Sequence, residues 1–184
     1  SRTKIVYFVY SGEVMLYNLT KHGNRKVIFI LGKGQLLNQS IVSKKPNALF
    51  CEAACPVQIL EIAEEPFLHL MEQSHALTRA VLREYERNLW RMGHQLKNTT
   101  GNMQMERKIA AKLWKLGRDF GVDTEDGVMI DIDLTISLMA DLVGAPRENV
   151  SRACKVLTDR GLIRYGNKRF ILIDFDGLAK FYKM

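Results

Sequence analysis

Alternating apolar and polar residues over the first third of the chain predict short β-strands. β-Branched and aromatic residues dominate residues 4–19, 25–31 and 48–63, where the last segment divides into two strands around Pro56. Glycine turns separate these segments at spacings of about ten residues, a pattern typical of a β-sandwich or a barrel-like roll. We therefore expect the first 63 residues to form an all-β unit.

A helical period follows the strands. Glu65-Pro66 predicts the start of a helical stretch, since proline suits a first turn, and a longer helix is expected from about Ser74 to about Lys97. Its apolar positions repeat at intervals of three and four and form a heptad seam that consists of Leu82, Tyr85, Leu89, Met92 and Leu96. Such a seam favours pairing with a second helix; the alternative is a helix that packs only on its own roll.

The last 85 residues or so have the pattern of a separate α/β unit. The segment at 98–102, "NTTGN", is a natural break and a candidate hinge. Apolar spacing then predicts an amphipathic helix that ends at Gly121, and the alternating run at 128–133, "VMIDID", predicts a strand. Thr135 is expected to cap the helix that follows.

Ala140, Gly144 and Val150 have the spacing of a helix-turn-helix. A small residue lets two helices cross closely, the glycine turns the backbone, and the valine anchors the second helix on the first. The second helix is expected over about Arg147 to Thr158. Since such a helix enters the major groove of DNA, the spacing predicts a DNA-binding unit.

Charged residues cluster at the start of this recognition helix. Arg147, Glu148 and Arg152 fall on its solvent side. Arginine can donate two hydrogen bonds to guanine, and glutamate can accept one from cytosine. These three residues are therefore the predicted base-reading residues, and the alternative is a solvated face with a Glu148–Arg152 pair at i, i+4.

A basic hairpin is expected after the recognition helix. Residues 162–174, "LIRYGNKRFILID", read as two strands around Gly166-Asn167. Arg164, Lys168 and Arg169 on this wing would contact backbone phosphate and add affinity that depends on salt.

Composition narrows the function. The net charge of +7 favours a polyanionic partner; residues 145–184 hold nine Lys/Arg against four Asp/Glu, whereas residues 101–144 hold five against eight. Three cysteines without a CxxC spacing fit a reducing cytoplasm. No apolar run is long enough for a membrane span, and motifs of hydrolases, metalloproteases and P-loop enzymes are missing, so an enzyme is not expected. The chain starts without Met and enters a strand at once, so we expect a preceding N-terminal segment.

With these motifs, the sequence resembles the CRP/FNR family of bacterial transcription factors over nearly its whole length. The matching stretches are "YFVYSGEVMLY", "GKGQLL", the heptad helix, "RKIAAKLWKL" and "VGAPRENVSRACKVLTDRGLIRYGNKRFILI". The resemblance implies an α+β fold: a β-roll sensor like a cyclic-nucleotide-binding jelly roll (1–73), a dimerisation helix (74–99) and a winged helix-turn-helix (100–184). It also implies a homodimer on palindromic double-stranded DNA, contact with RNA polymerase, base reading by Arg147, Glu148 and Arg152, and backbone contacts from Thr135, Asn149, Ser151, Lys168 and Arg169.

Two positions depart from the family pattern. Pro146 stands where the family has Ser or Thr, which removes a hydroxyl cap. Asn38-Gln39 replaces the Gly-Glu of the cyclic-nucleotide cassette, and neutral residues at 47–49 replace its Arg-Ser, so the charged contact with a cyclic phosphate is lost. We therefore do not expect a cyclic-AMP sensor, and the effector is open.

The resemblance places a candidate effector pocket at Asn38, Gln39, Ser40 and His94. Heme or another small effector is an option, since histidines that could serve as axial ligands are present. The alternatives to a switched regulator are a constitutive regulator with a ligand-free roll and, more distantly, a ligand-binding module that acts on a protein partner.

Overall fold

The structure is a computed structural model that describes residues 4–20, 23–43, 45–99 and 103–183, with the backbone alone for 96–99. The chain divides into two compact units: Ser1–Asn18 with Ile28–Lys97, and Leu19–Val27 with Asn98–Met184. Among the described residues, no helix combines the length and apolarity needed to cross a bilayer.

Five strands form the β-roll, as the alternating pattern predicted. They are β1 (Ile5–Ser11), β2 (Val14–Leu19), β3 (Arg25–Leu31), β4 (Phe50–Ala53) and β5 (Gln58–Ala63). One sheet pairs β1 with β5, and the other has the order β3-β2-β4. Gly12 turns the chain between β1 and β2 with a φ of 80°, and a Cβ atom there would lie 2.4 Å from the Pro56 carbonyl oxygen. Only glycine fits this turn without displacing the backbone.

Two apolar clusters hold the first unit together. One lies inside the roll and consists of Val9, Val14, Leu16, Phe29, Leu31 and Leu37. The other joins the roll to the following helices and consists of Val6, Leu36, Ile41, Phe67 and Val81. These helices are α1 (Glu64–Gln73) and α2 (His75–Thr99), which match the two predicted helical stretches. The roll and α2 therefore share a buried surface.

The side of α2 against the roll is partly polar. Glu84 and Arg91 are only 8% and 6% exposed. The Gln35 amide nitrogen donates to Glu84 Oε1 at 2.9 Å, and Arg87 forms an ion pair with the same carboxylate. A buried carboxylate persists only with such partners. The heptad pattern gave no sign that Glu84 and Arg91 are buried.

The second unit combines helices with a four-stranded sheet. Its elements are α3 (Met105–Phe120), β6 (Gly121–Thr124), β7 (Gly127–Ile130), α4 (Ile136–Val143), α5 (Arg147–Asp159), β8 (Ile163–Gly166), β9 (Arg169–Leu172) and α6 (Phe175–Lys183). The sheet order is β6-β7-β9-β8, and the core includes Ile109, Leu113, Leu157, Phe170 and Leu178, each fully buried. The sequence did not predict β6, because all four of its residues are exposed and no apolar alternation marks it.

Candidate nucleic-acid interface

A left-handed glycine joins the two helices of the predicted helix-turn-helix. Thr135 caps α4, since its Oγ1 accepts a hydrogen bond from the Leu138 N–H at 3.0 Å, as the sequence predicted. Gly144 ends α4 with a φ of 70°, and its N–H donates to the Ala140 carbonyl at 2.8 Å. Pro146 then precedes α5 with a φ of −57°, which its ring favours. The turn fixes the direction in which α5 leaves α4.

One face of α5 is buried against the second unit. Val150 and Leu157 are fully buried, and Ala153 and Cys154 are nearly so. Burial raises the pKa of Cys154 to about 11, so its thiol stays protonated at neutral pH and packs as a small apolar residue. The opposite face of α5 is therefore available to a partner.

The predicted base-reading residues all lie on that exposed face. Arg147, Glu148 and Arg152 are exposed, and so is Ser151 between them. The Arg152 guanidinium donates to Asn149 Oδ1 at 2.5 Å. Within the part of the chain that the structure describes, Arg152 thus pairs with Asn149 one turn back, and not with the Glu148 that the i, i+4 spacing favoured.

The wing is a tight hairpin between β8 and β9. Asn167 and Lys168 form its turn, with φ values of 50° and 59°, the backbone of a type I′ turn. The sequence placed the turn one residue earlier, at Gly166-Asn167; Gly166 instead ends β8 and pairs with Arg169. Lys168 is exposed at the tip, and its carbonyl accepts the Leu134 N–H at 2.7 Å. This bond ties the wing to the segment before α4.

Acidic residues hold two of the three wing cations. Arg169 forms an ion pair with Asp131 and lies 3.6 Å from Asp133. Arg164 forms an ion pair with Asp126. All of these side chains are partly exposed, so the pairs are weak and screened by salt. These aspartates were not predicted from the sequence, although the alternation of "DID" places Asp131 and Asp133 on one face of the chain.

The effector residues predicted in the roll fall into two groups. Asn38 and Gln39 line a cleft of about 360 Å³ between the two sheets. Ser40 is not among the lining residues, and its hydroxyl instead bonds the carbonyl of Ser43 at 2.9 Å. His94 is exposed on α2 with its ring 3.9 Å from that of Trp90. The structure thus brings two of the four predicted residues to the cleft.

Heme finds no histidine ligand in this cleft. None of the described residues that line it is a histidine, and burial raises the pKa of the Cys51 thiol at its edge. The histidines that the sequence offered as axial ligands are therefore not among the described residues that line the cleft.

The predicted dimer seam on α2 leaves large apolar side chains in solvent. Leu82, Leu89 and Met92 are 54%, 73% and 47% exposed. Tyr85 lies differently, because it packs against the roll cluster and its hydroxyl donates to the Asn38 carbonyl at 3.3 Å; burial raises its pKa to about 12. The side chain of Leu96 lies outside the described residues. An exposed apolar stripe of this kind marks an interaction surface.

Two protein-family models match the chain, one for each part. The cyclic nucleotide-binding domain matches residues 2–74, and the Crp-like helix-turn-helix domain matches residues 107–181. The first match covers the five strands with α1, and the second covers α3 to α6.

Curated relatives and solved structures agree with both matches. A CRP-like cAMP-activated global transcriptional regulator of Mycobacterium tuberculosis is 24% identical over 95% of this chain and 78% of the relative. The global nitrogen regulator of a Nostoc species is 24% identical over 89% of this chain and 74% of the relative. The structure of FixK2 from Bradyrhizobium japonicum superposes with a TM-score of 0.80 at 19% identity, over 96% of this chain and 86% of that one. The structure of a CooA mutant from Carboxydothermus hydrogenoformans superposes with a TM-score of 0.82 at 19% identity, over 99% of this chain and 80% of that one.

A cyclic nucleotide-binding domain followed by a Crp-like helix-turn-helix domain defines a class of transcription regulators. This chain belongs to the CRP/FNR family of that class. The predicted family and fold class are therefore confirmed.

Proposed function

We propose that the chain acts as a homodimer that binds a palindromic double-stranded DNA site and reads base edges with Arg147, Glu148 and Arg152. The supporting observation is that these three charged side chains are exposed on α5 while its opposite face is buried. Residues 1–73 serve as sensor, 74–99 as dimerisation helix and 100–184 as the DNA-binding domain.

Specificity and affinity come from different residues in this proposal. The arginines and Glu148 discriminate bases by hydrogen bonds in the major groove. Lys168 at the wing tip contacts phosphate, as do Thr135, Asn149, Ser151 and Arg169 to the extent that their own partners release them. Phosphate contacts add affinity for every sequence and weaken as salt rises.

The exposed seam on α2 supplies the dimer. Pairing of Leu82, Leu89 and Met92 with the same residues of a second copy would remove them from water, as heptad seams do. A twofold dimer places two recognition helices on two half-sites about one helical turn apart. Inverted half-sites are therefore expected.

A small effector in the roll switches this dimer, and RNA polymerase is a partner because relatives are transcription regulators. We place the protein in the cytoplasm, where its three free cysteines stay reduced. The alternative is a constitutive regulator with a ligand-free roll. Such a regulator would bind DNA with the same affinity in the presence and in the absence of each candidate effector.

Selection of binding sites from random duplex DNA tests the proposal. Recovery of an inverted repeat, with loss of base preference in Arg152→Ala and retention in Lys180→Ala, is the expected result. Lys180 is exposed on α6, so it controls for the loss of one positive charge. Failure to enrich any sequence, at a salt concentration where relatives of this class bind, would overturn it.

A further inference from the structure

The cleft in the roll is built from alternate residues of four strands. Register pairs Tyr7 of β1 with Glu61 of β5, and Leu16 of β2 with Cys51 of β4. Because side chains on a strand alternate between its faces, these residues point to the same space between the sheets, and all four line the cleft. Its volume of about 360 Å³ lies within the ~300–1,000 Å³ of small-molecule sites.

Neutral amide side chains join residues of the loop between β3 and β4 that line the cleft. Gln39 Oε1 accepts the N–H groups of Ala48 and Leu49 at 2.7 and 3.0 Å. Asn47 Oδ1 in turn accepts the Gln39 N–H at 3.0 Å. Two adjacent backbone N–H groups of this kind can form an anion site, but here the Gln39 carbonyl occupies both. We call this pair, Gln39 with Asn47, the amide latch.

The Asn38 side chain is also hydrogen-bonded to the protein backbone. Its Oδ1 accepts the Tyr7 N–H at 2.7 Å, and its Nδ2 donates to the Ile5 carbonyl at 2.9 Å. The side chain therefore joins the loop to β1. The two amides of Asn38 and Gln39 that replace the charged cassette thus act mainly on the fold of the loop.

The charge around the cleft disfavours an anion. None of the described residues that line it is Lys, Arg or His, whereas the Glu61 carboxylate is one of them. The remainder of the lining is mainly apolar, with Val14, Leu37, Leu49 and Val57 among it. An anion that entered would lose hydration without gaining an opposite charge, and Glu61 would repel it. A cyclic nucleotide therefore does not fit the residues present.

We propose that this cleft binds an uncharged, mainly apolar small molecule that carries a hydrogen-bond donor toward Glu61. The ligand is the effector of the regulator, so this inference rests on the proposed function. Apolar contact with the sheet faces supplies most of the affinity, and Glu61 orients the molecule. The amide latch holds Gln39, Asn47 and Leu49 together at the cleft without the charge that a phosphate would need.

Titration of the full chain with the neutral fluorophore N-phenyl-1-naphthylamine tests the ligand class, with cyclic AMP as the anionic competitor. We expect saturable, blue-shifted emission from one site per chain that cyclic AMP does not displace. Displacement by cyclic AMP, or the lack of any saturable signal, would overturn the proposal.

Two variants of β5 locate the probe. Ile59 lines the cleft, whereas its neighbour Leu60 does not and points to the other face of the strand. Ile59→Trp should fill the cleft and raise the probe's Kd by about tenfold or more, while Leu60→Trp should leave it within about twofold. Equal effects of the two changes would place the probe elsewhere, for instance on the apolar seam of α2, and contradict the proposal.

A charge variant and DNA binding complete the test. Glu61→Lys should give cyclic AMP a measurable affinity that the wild type lacks. This variant does not fill the cleft, so it remains informative if Ile59→Trp fails to fold. If Glu61→Lys gained no affinity for cyclic AMP, the charge argument would be contradicted. DNA binding by the wild type is measured in parallel. Loss of probe binding with intact DNA binding rejects the ligand class alone, whereas probe binding without DNA binding rejects the proposed regulator.

Discussion

The guanidinium of Arg152 donates a hydrogen bond to Oδ1 of Asn149 at 2.5 Å, across one turn of α5. Arg152 is exposed and Asn149 is half-buried, beside the buried face of the helix. Arginine has five N–H donors in a rigid fork, so this bond leaves others available while it limits the rotamers of the side chain. Asn149 therefore acts as a positioning residue for Arg152.

Asn149→Ala should weaken binding to a selected site and relax its base preference at the Arg152 position. The expected cost is about 0.5–1.5 kcal/mol, the net value of one hydrogen bond. Asn149→Asp is the matched control, since its carboxylate still accepts from Arg152 and should keep the preference. A panel of single-base variants of the site measures both. If Asn149→Ala weakened all sequences alike, Asn149 would act only through its phosphate contact and would not position Arg152.

The ion pairs of Arg169 predict a gain of function in the wing. Asp131→Asn with Asp133→Asn should release Arg169 toward phosphate and raise affinity for random DNA. The slope of log K against log salt should steepen by about 0.9, the value for one added phosphate contact.

Asp123→Asn is the control for this gain, because Asp123 is an exposed aspartate on β6. It should give a smaller, long-range effect on affinity and leave the salt slope unchanged. A slope unaltered by the double change would mean that Arg169 does not reach the DNA.

The exposed seam predicts that oligomeric state depends on Leu89, which is 73% exposed. Leu89→Glu should convert the dimer to a monomer, because two carboxylates would face each other in an apolar seam. Sedimentation analysis gives the mass. Ala76→Glu adds the same charge to an exposed position of α2 outside the seam, and it should leave the dimer intact. An unchanged mass for Leu89→Glu would place the dimer contact elsewhere.

The Thr135 cap predicts a stability effect that is separable from DNA binding. Thr135→Ala should cost about 1 kcal/mol, as loss of an N-cap does, and lower the Tm of the second unit by about 4–8 °C. Thr135→Ser keeps the hydroxyl, so it should have little effect on the free energy of unfolding and on the Tm. Thermal unfolding followed by circular dichroism reports the cost; a wild-type Tm for Thr135→Ala would show that the cap bond to Leu138 contributes nothing.

Periodicity predicted most elements of the fold, because β1, β2, β3 and α5 each bury part of their residues; β4 was also predicted, although all four of its residues are exposed. Periodicity failed for elements and residues whose burial does not follow the local pattern of apolar and polar positions. β6 is fully exposed and carries no alternation, and Glu84 is buried although charged, since Gln35 and Arg87 supply its partners from other parts of the chain.

The same limit applied to the interface. The motif spacing identified Arg147, Glu148 and Arg152, since they are neighbours on one helix. Arg169 and Asp131 are 38 positions apart and only the folded sheet brings them together, so no local pattern predicts that acidic partners hold Arg169. The wing turn was predicted one residue too early, because a positive φ was expected at Gly166. In the structure, Asn167 and Lys168 adopt positive φ instead.

The most direct test of base reading by α5 is a comparison of wild type and Arg152→Ala on the selected site and on its single-base variants at fixed salt. We expect the variant to lose about 1–3 kcal/mol on the selected site and to become indifferent to one base pair in each half-site. If Arg152→Ala kept the affinity and every base preference of the wild type, α5 would not be the element that reads DNA.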